Sequence, residues 1–149
     1  MPTELETRLV TLDREECLRL LSTSNLGRVA VNAPGWPPVI RPVTYVFDRP
    51  SQSVVFRSDR GSKFTALLHA GEAAFEVDGV DSSEHTGWSV IVVGMAEIVD
   101  RASEVHRLDQ LGLHPWAPGN RPHWIRIRAP VVSGRRITAV DPGWSGRIG

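Results

Sequence analysis

Cysteine and lysine are nearly missing from this chain, and net charge is missing altogether. Cys17 is the one cysteine in 149 residues, so no disulfide can close within the chain and no metal site can be built on thiolates. That usage fits a reducing, cytoplasmic setting. Seventeen acidic residues balance seventeen basic ones, which leaves no overall field to gather nucleic acid or an anionic membrane. Any anion must therefore be held locally. No apolar run approaches the ~20 residues that span a bilayer, and the start, MPTELETRLV, lacks the charged-then-apolar pattern of an export signal. The five histidines fall without metal-ligand spacing, so no metal site is expected. Without HExxH, a carboxylate pair or a GxSxG elbow, metal-dependent hydrolysis and a serine triad have no anchor.

The length and the hydrophobic share of 41% are those of one folded domain, expected over residues 1–140 with a frayed tail at 141–149. Asp13 and Glu16 at capping-box spacing open a short amphipathic helix through Cys17, Leu18, Leu20 and Leu21. From Gly27 the pattern turns to strands. Arg28–Val31 and Val39–Phe47 flank a Pro- and Gly-rich turn, and Pro42 marks the second as irregular or as an edge. Arg41 falls on the same face as Val39, Val43 and Tyr45, an inconsistency of the kind that marks sites. Val54–Phe56, Ala73–Val77 and Gly87–Val99 continue the meander, the last with a bulge at Gly94. The loop 78–86 between the latter two is acidic. A helix from about residue 100 uses Val105, Leu108 and Leu111. Two further strands follow at His123–Arg128 and Val131–Val140. The whole is mainly β with a few short helices, a small antiparallel barrel.

Lys63, the lone lysine, closes the polar turn Arg57-Ser58-Asp59-Arg60-Gly61-Ser62-Lys63 just before a helical run at Phe64, Leu67 and Leu68. Hydroxyls and cations beside free backbone N–H groups suit a phosphate. In His123–Arg128, strict alternation places Trp124, Arg126 and Arg128 opposite Ile125 and Ile127. Such a stripe is not a core face. It is either a solvated edge or a surface that meets a flat anionic ligand.

The order PVIRPVTYVF, VVFRSDRGSKFTALL, AAFEVD, TGWSVIVVGMAEIV and PHWIRIRAPVVSGRRI resembles the pyridoxamine 5'-phosphate oxidase-like family, the flavin-binding split β-barrels, nearest the branch of the nitroimidazole-resistance proteins. The resemblance spans about Leu12 to Ile137. It implies a six-stranded antiparallel split β-barrel, a homodimer, and FMN between the subunits. On this sequence, Arg41, Pro42, Val43, Thr44 and Tyr45 would line the flavin ring. Arg57, Ser58, Ser62 and Lys63 would hold the phosphate and ribityl chain. Trp88 and Ser89 would lie near the ring, and Trp124 and Arg126 would arrive from the partner. The implied activity is transfer of hydride or electrons to a small-molecule acceptor, with no catalytic residue assignable. A deazaflavin-dependent reductase and a non-catalytic flavin-binding protein are the alternatives. Lys63 is followed by Phe64 where the true oxidase carries an Arg-Lys pair, and the oxidase's C-terminal segment is not recognisable after Ile137, so oxidation of the vitamer is not expected.

Overall fold

The structure, a computed structural model, describes residues 6–59, 62–68, 71–116 and 118–140. The side chain of Lys63, Arg60 and the tail at 141–149 lie outside the described residues.

Nine strands and three short helices make up the described chain: β1 (Thr7–Leu12), α1 (Arg14–Leu21), β2 (Leu26–Val31), β3 (Val39–Thr44), β4 (Val46–Asp48), β5 (Ser53–Ser58), α2 (Lys63–Leu68), β6 (Glu72–Asp81), β7 (Thr86–Val99), α3 (Ala102–Asp109), β8 (His123–Arg128) and β9 (Val131–Ala139). All pairings are antiparallel, in the order β3-β2-β6-β7-β8-β5-β4, with β9 also on β7 and β1 on β9. This is the split barrel, with nine strands instead of six. One addition is β1, read from the sequence as a polar start because most of its residues are exposed. Another comes from the expected strand Val39–Phe47, which breaks at Tyr45 into β3 and β4. The stretch 78–81, expected as loop, continues the β6–β7 hairpin, with Asp81 opposite Thr86.

Asp13 caps α1 as its sequence suggests, its Oδ1 accepting from the Glu16 N–H at 2.9 Å. Glu16 does not complete the box: Arg19, first, and Arg136 take its carboxylate and hold its pKa down at about 2. The helix buries Cys17, Leu18, Leu20 and Leu21 against the sheet.

β7 organises the split. One side pairs with β6 throughout residues 86–95; the other pairs with β9 over 87–93 and then with β8 over 96–99. Gly94 stands at the changeover. The register with β6 runs unbroken past Gly94, and on the other side residues 94–95 face the three residues 128–130, so the extra residue of the expected bulge lies opposite β7 and not in it. A Cβ at Gly94 would lie 2.4 Å from the Arg128 carbonyl oxygen, a separation that a side chain cannot meet without moving backbone.

The inward faces, with Val29, Phe75, Val92, Phe56 and Ile125 among them, form the main core with α1 and α2. A second, smaller core lies across β5 and β8, where Val55, Val99 and Trp124 pack under Leu108 of α3. This corrects the expectation for Trp124 and Arg126. Their face is a core face, with Trp124 2% and Arg126 6% exposed. Alternation in one strand cannot reveal that the preceding helix brings its own carboxylates to cover cationic residues. Leu111, expected in that helix's apolar stripe, is exposed just past its end.

Candidate functional site

β3 is the edge strand of the sheet, so Pro42 removes no ladder bond that a central strand would need. Pleating sends Ile40 and Pro42 to the outer face and Arg41, Val43 and Val39 to the inner one. Val39 and Val43 pack on the core. Arg41, at the same height but beyond the core's rim, lays its guanidinium 5.6 Å from the ring centroid of Phe64 on α2. No ion pair to Arg41 occurs among the described residues. Tyr45 turns away: its ring is fully buried against Phe75 at 4.6 Å and its hydroxyl donates to the Leu21 carbonyl at 2.7 Å. Burial pushes the phenol pKa up. Its side chain belongs to the core, not to a ligand.

Ser58 and Arg57 are adjacent in β5 and therefore point to opposite faces. Ser58 is buried on the inner side, bonded to Thr65 of α2 at 2.7 Å. Arg57 is on the α3 side, 5.4 Å over the ring of Trp124, its cross-strand partner. The structure thus separates these two and keeps Arg41, Ser58 and Ser62 around α2. Ser62 accepts from the Thr65 N–H at 3.0 Å, the bond of an N-cap.

Trp88 and Ser89, in β7, stand three strands over from β3, beyond β2 and β6, about 14 Å at ~4.8 Å per strand. Within one chain they do not join Arg41. Both border an outer-face trench of about 700 Å³ near the β6–β7 turn, within the range of small-molecule sites, but pleating gives only Ser89 a side chain on that face; that of Trp88 turns to the inner side and packs against the core. Residue size makes the trench. Gly87 and Ser89 form its floor, Leu9 and Ile137 one wall and Val80 the other, with Asp78 and Arg135 at one end. The same outer face carries an apolar row in register across five strands, Val131–Val93–Ala74–Ala30–Ile40, whose end members are exposed, as are Ile91 and Met95 nearby. Arg28 bridges Glu76 at 3.1 Å and Asp78 at 3.4 Å on this face. Desolvation, then the neighbouring Asp78, raise the pKa of Glu76.

On the opposite flank α3 is fastened by charge. Glu104 accepts from Arg126 at 2.5 Å and from Arg107, Asp109 accepts from the Trp124 indole N–H at 2.7 Å, and Arg107 forks onto Asp48 at 2.9 and 2.8 Å. Arg107 and then Arg126 hold the Glu104 pKa down at about 2, against an ordinary 4.5. A depressed carboxylate stabilises the fold above its ordinary pKa and releases that stability as pH falls towards the lowered one. Glu104→Gln is therefore expected to destabilise at neutral pH, with the deficit shrinking between about pH 4.5 and about pH 2. Urea unfolding of both proteins across that range checks it; a constant deficit contradicts it.

Residues 13–136 match the family model described as pyridoxamine 5'-phosphate oxidase. The chain belongs to that family. A curated relative, the uncharacterized protein Rv0080 of Mycobacterium tuberculosis, is 33% identical over 136 residues, covering 88% of this chain and 87% of its own. Among solved structures, the FAD binding protein from Mycobacterium smegmatis is 30% identical with a TM-score of 0.75, covering 85% of this chain and 97% of that one. A proposed 5-nitroimidazole antibiotic resistance protein from Bacteroides thetaiotaomicron has a TM-score of 0.69 at 10% identity over 90% of each chain, a likeness of fold. Residues that the sequence left unremarked are Thr65, around which the α2 entry is knotted, and Gly87, which opens the trench. Thr65 could have been suspected from Ser62-x-x-Thr65 after a serine-ended strand; Gly87 carries no signal until its neighbours' heights are known.

Proposed function

We propose that this chain is one flavin-binding domain, over residues 1–140, of a homodimeric oxidoreductase that holds FMN and passes hydride or electrons to a small-molecule acceptor. The observation that carries this is Arg41, an exposed arginine without an ion pair among the described residues, steadied over Phe64 at an open edge of the sheet. The donor set fits a planar group with an anionic tail: a guanidinium and the hydroxyls of the α2 entry at one place, and a trench with a small floor at another. Bound FMN would supply the two-electron chemistry at its ring, while the protein orients and shields it. Arg41, Pro42, Val43 and Thr44 of one copy would hold the ring's edge, with Ser62 and Lys63 at the phosphate. Trp88 and Ser89, too distant within one chain, would come from the second copy. Trp124, Arg126 and Arg57 support this framework from behind. The relative named as FAD-binding favours FAD as a second reading; Arg135 at the trench would suit a longer acidic tail such as a deazaflavin carrier has, whereas Arg136 is turned to Glu16.

The second copy is proposed to cover the outer face that carries the apolar row. Five strands give about 24 Å of width and eight residues about 27 Å of length, about 650 Å², close to the ~800 Å² per partner of a stable interface. The face carries both signs, so a two-fold copy can set Arg135 against Asp78.

Arg41→Ala is expected to raise the FMN dissociation constant about tenfold or more, since a hydrogen bond from a charged group to the ring's carbonyl edge is worth about 1.5–3 kcal/mol, with little change in stability at an exposed site. Fluorescence titration of FMN measures it. Unchanged affinity removes Arg41 from the site.

A further inference from the structure

On the α3 side of β7 and β8, a cleft of about 550 Å³ runs beside the turn at Pro50 and Ser51 and the first turn of α3, a volume that takes a small molecule. Arg101, Arg107, Arg126 and Arg128 line it, with Glu97, Asp100 and Glu104 among them. Most of this charge is already used: Glu104 accepts from Arg107 and Arg126, Glu97 accepts from Arg128 at 3.1 Å, and Arg107 also forks onto Asp48. The groups left over are mainly donors. Arg126 is 6% exposed, yet beyond the bond from Nη2 to Glu104 its buried Nε has no partner among the described residues, and a buried donor without a bond costs free energy. Arg101 is exposed and has no ion pair among the described residues. It is also the N-cap of α3, and its side chain makes no capping bond. Its carbonyl takes the N–H groups of Glu104 and Val105, so the first two N–H groups of the helix, on Ala102 and Ser103, are left at the positive end of the helix dipole.

We propose that this cleft binds the anionic head, phosphate or carboxylate, of a small molecule, with Arg101 and Arg126 as its cationic contacts. A guanidinium offers an oxyanion parallel N–H bonds in a fixed plane, and burial and Glu104 hold that of Arg126 in place. Asp100, exposed beside Arg101, offsets part of its charge, so the head is held by donors at one place and not by an excess of positive charge over the whole cleft. The site is separate from the proposed flavin residues: Arg41, Ser62 and Ser89 do not line it.

The test is calorimetric titration of the full chain with inorganic phosphate and, in a second arm, with succinate, at constant ionic strength and both without and with saturating FMN. Saturable binding at one anion per chain is expected, and the arm that saturates tells a phosphate head from a carboxylate one. Arg101→Ala removes an exposed side chain and is expected to weaken binding about tenfold at an unchanged Tm. Arg126→Lys keeps a cation for Glu104 but lacks the Nε–H and the planar fork, and is expected to weaken binding about tenfold as well; should it not fold, Arg101→Ala decides alone. Arg8→Ala removes an equal charge from β1, outside the cleft, and is expected to bind as the parent does. No saturable binding of either anion, parent-like binding by Arg101→Ala, or an equal loss in Arg8→Ala overturns the inference. Binding that FMN abolishes overturns it too, since the anion would then occupy the flavin's own phosphate site.

Discussion

Arg107→Ala is expected to cost about 2–3 kcal/mol of unfolding free energy, less than the cost of breaking a fully buried pair because Asp48 is buried while Arg107 is 37% exposed. Asp48 is 1% exposed, and both of its oxygens receive the Arg107 fork, at 2.9 and 2.8 Å. Ser51 gives the only other side-chain bond to that carboxylate among the described residues. Without the guanidinium, a charge with no access to water must either stay unpaired or take up a proton, and its pKa, now held low first by Arg107, would rise. The same arginine also bridges to Glu104 and so helps to hold α3 over Trp124. Asp48→Asn in the Arg107→Ala background should recover part of the loss, because the charge goes while the amide can still bond. Urea unfolding at neutral pH decides it. A loss under about 1 kcal/mol would mean that the pair behaves as an exposed one.

Val131→Arg is expected to break the proposed dimer. Val131 is exposed in the single chain and ends the apolar row through Val93, Ala74 and Ala30, so an arginine there costs the monomer little. Buried beneath a second copy, the same guanidinium would lose its water without a partner, which costs at least 2–3 kcal/mol by the scale of about 1–3 kcal/mol for unpaired polar groups and more for charges. The dimer dissociation constant should rise about a hundredfold. Sedimentation of parent and variant over a concentration series measures this. Equal association of the two would place the partner on some other face, or nowhere.

Much of the frame was legible from period alone. Strands rich in β-branched residues around Val90–Val93, the capped helix at Asp13 and the edge character that Pro42 imposes all follow from local chemistry, and each appears where its residues point. The placement of Arg41 on the face of Val39 and Val43 was legible too. What could not be read is which side of a strand a distant element covers. Trp124 and Arg126 alternate as surface residues do, yet α3 brings Glu104 and Asp109 to them across 15 to 22 positions of sequence. The run Arg57-Ser58 looked like one binding pair because a turn was assumed to begin there; β5 in fact extends through Ser58, and the pleat parts them. Trp88 and Ser89 suited the ring by resemblance, but strand order puts β2 and β6 between them and Arg41.

The shared flavin groove is tested most directly by measuring FMN binding and assembly together, with sedimentation of the chain at increasing flavin, detected through flavin absorbance. A ligand that contacts two copies must stabilise their association by mass action. The account predicts about one FMN per chain at saturation, all of it moving with the dimer, and a dimer that tightens as flavin is added and does so less in Arg41→Ala. Flavin that travels with a monomer, or a dimerisation constant indifferent to saturating FMN, would contradict the shared groove; no flavin retained at all would contradict the proposed function.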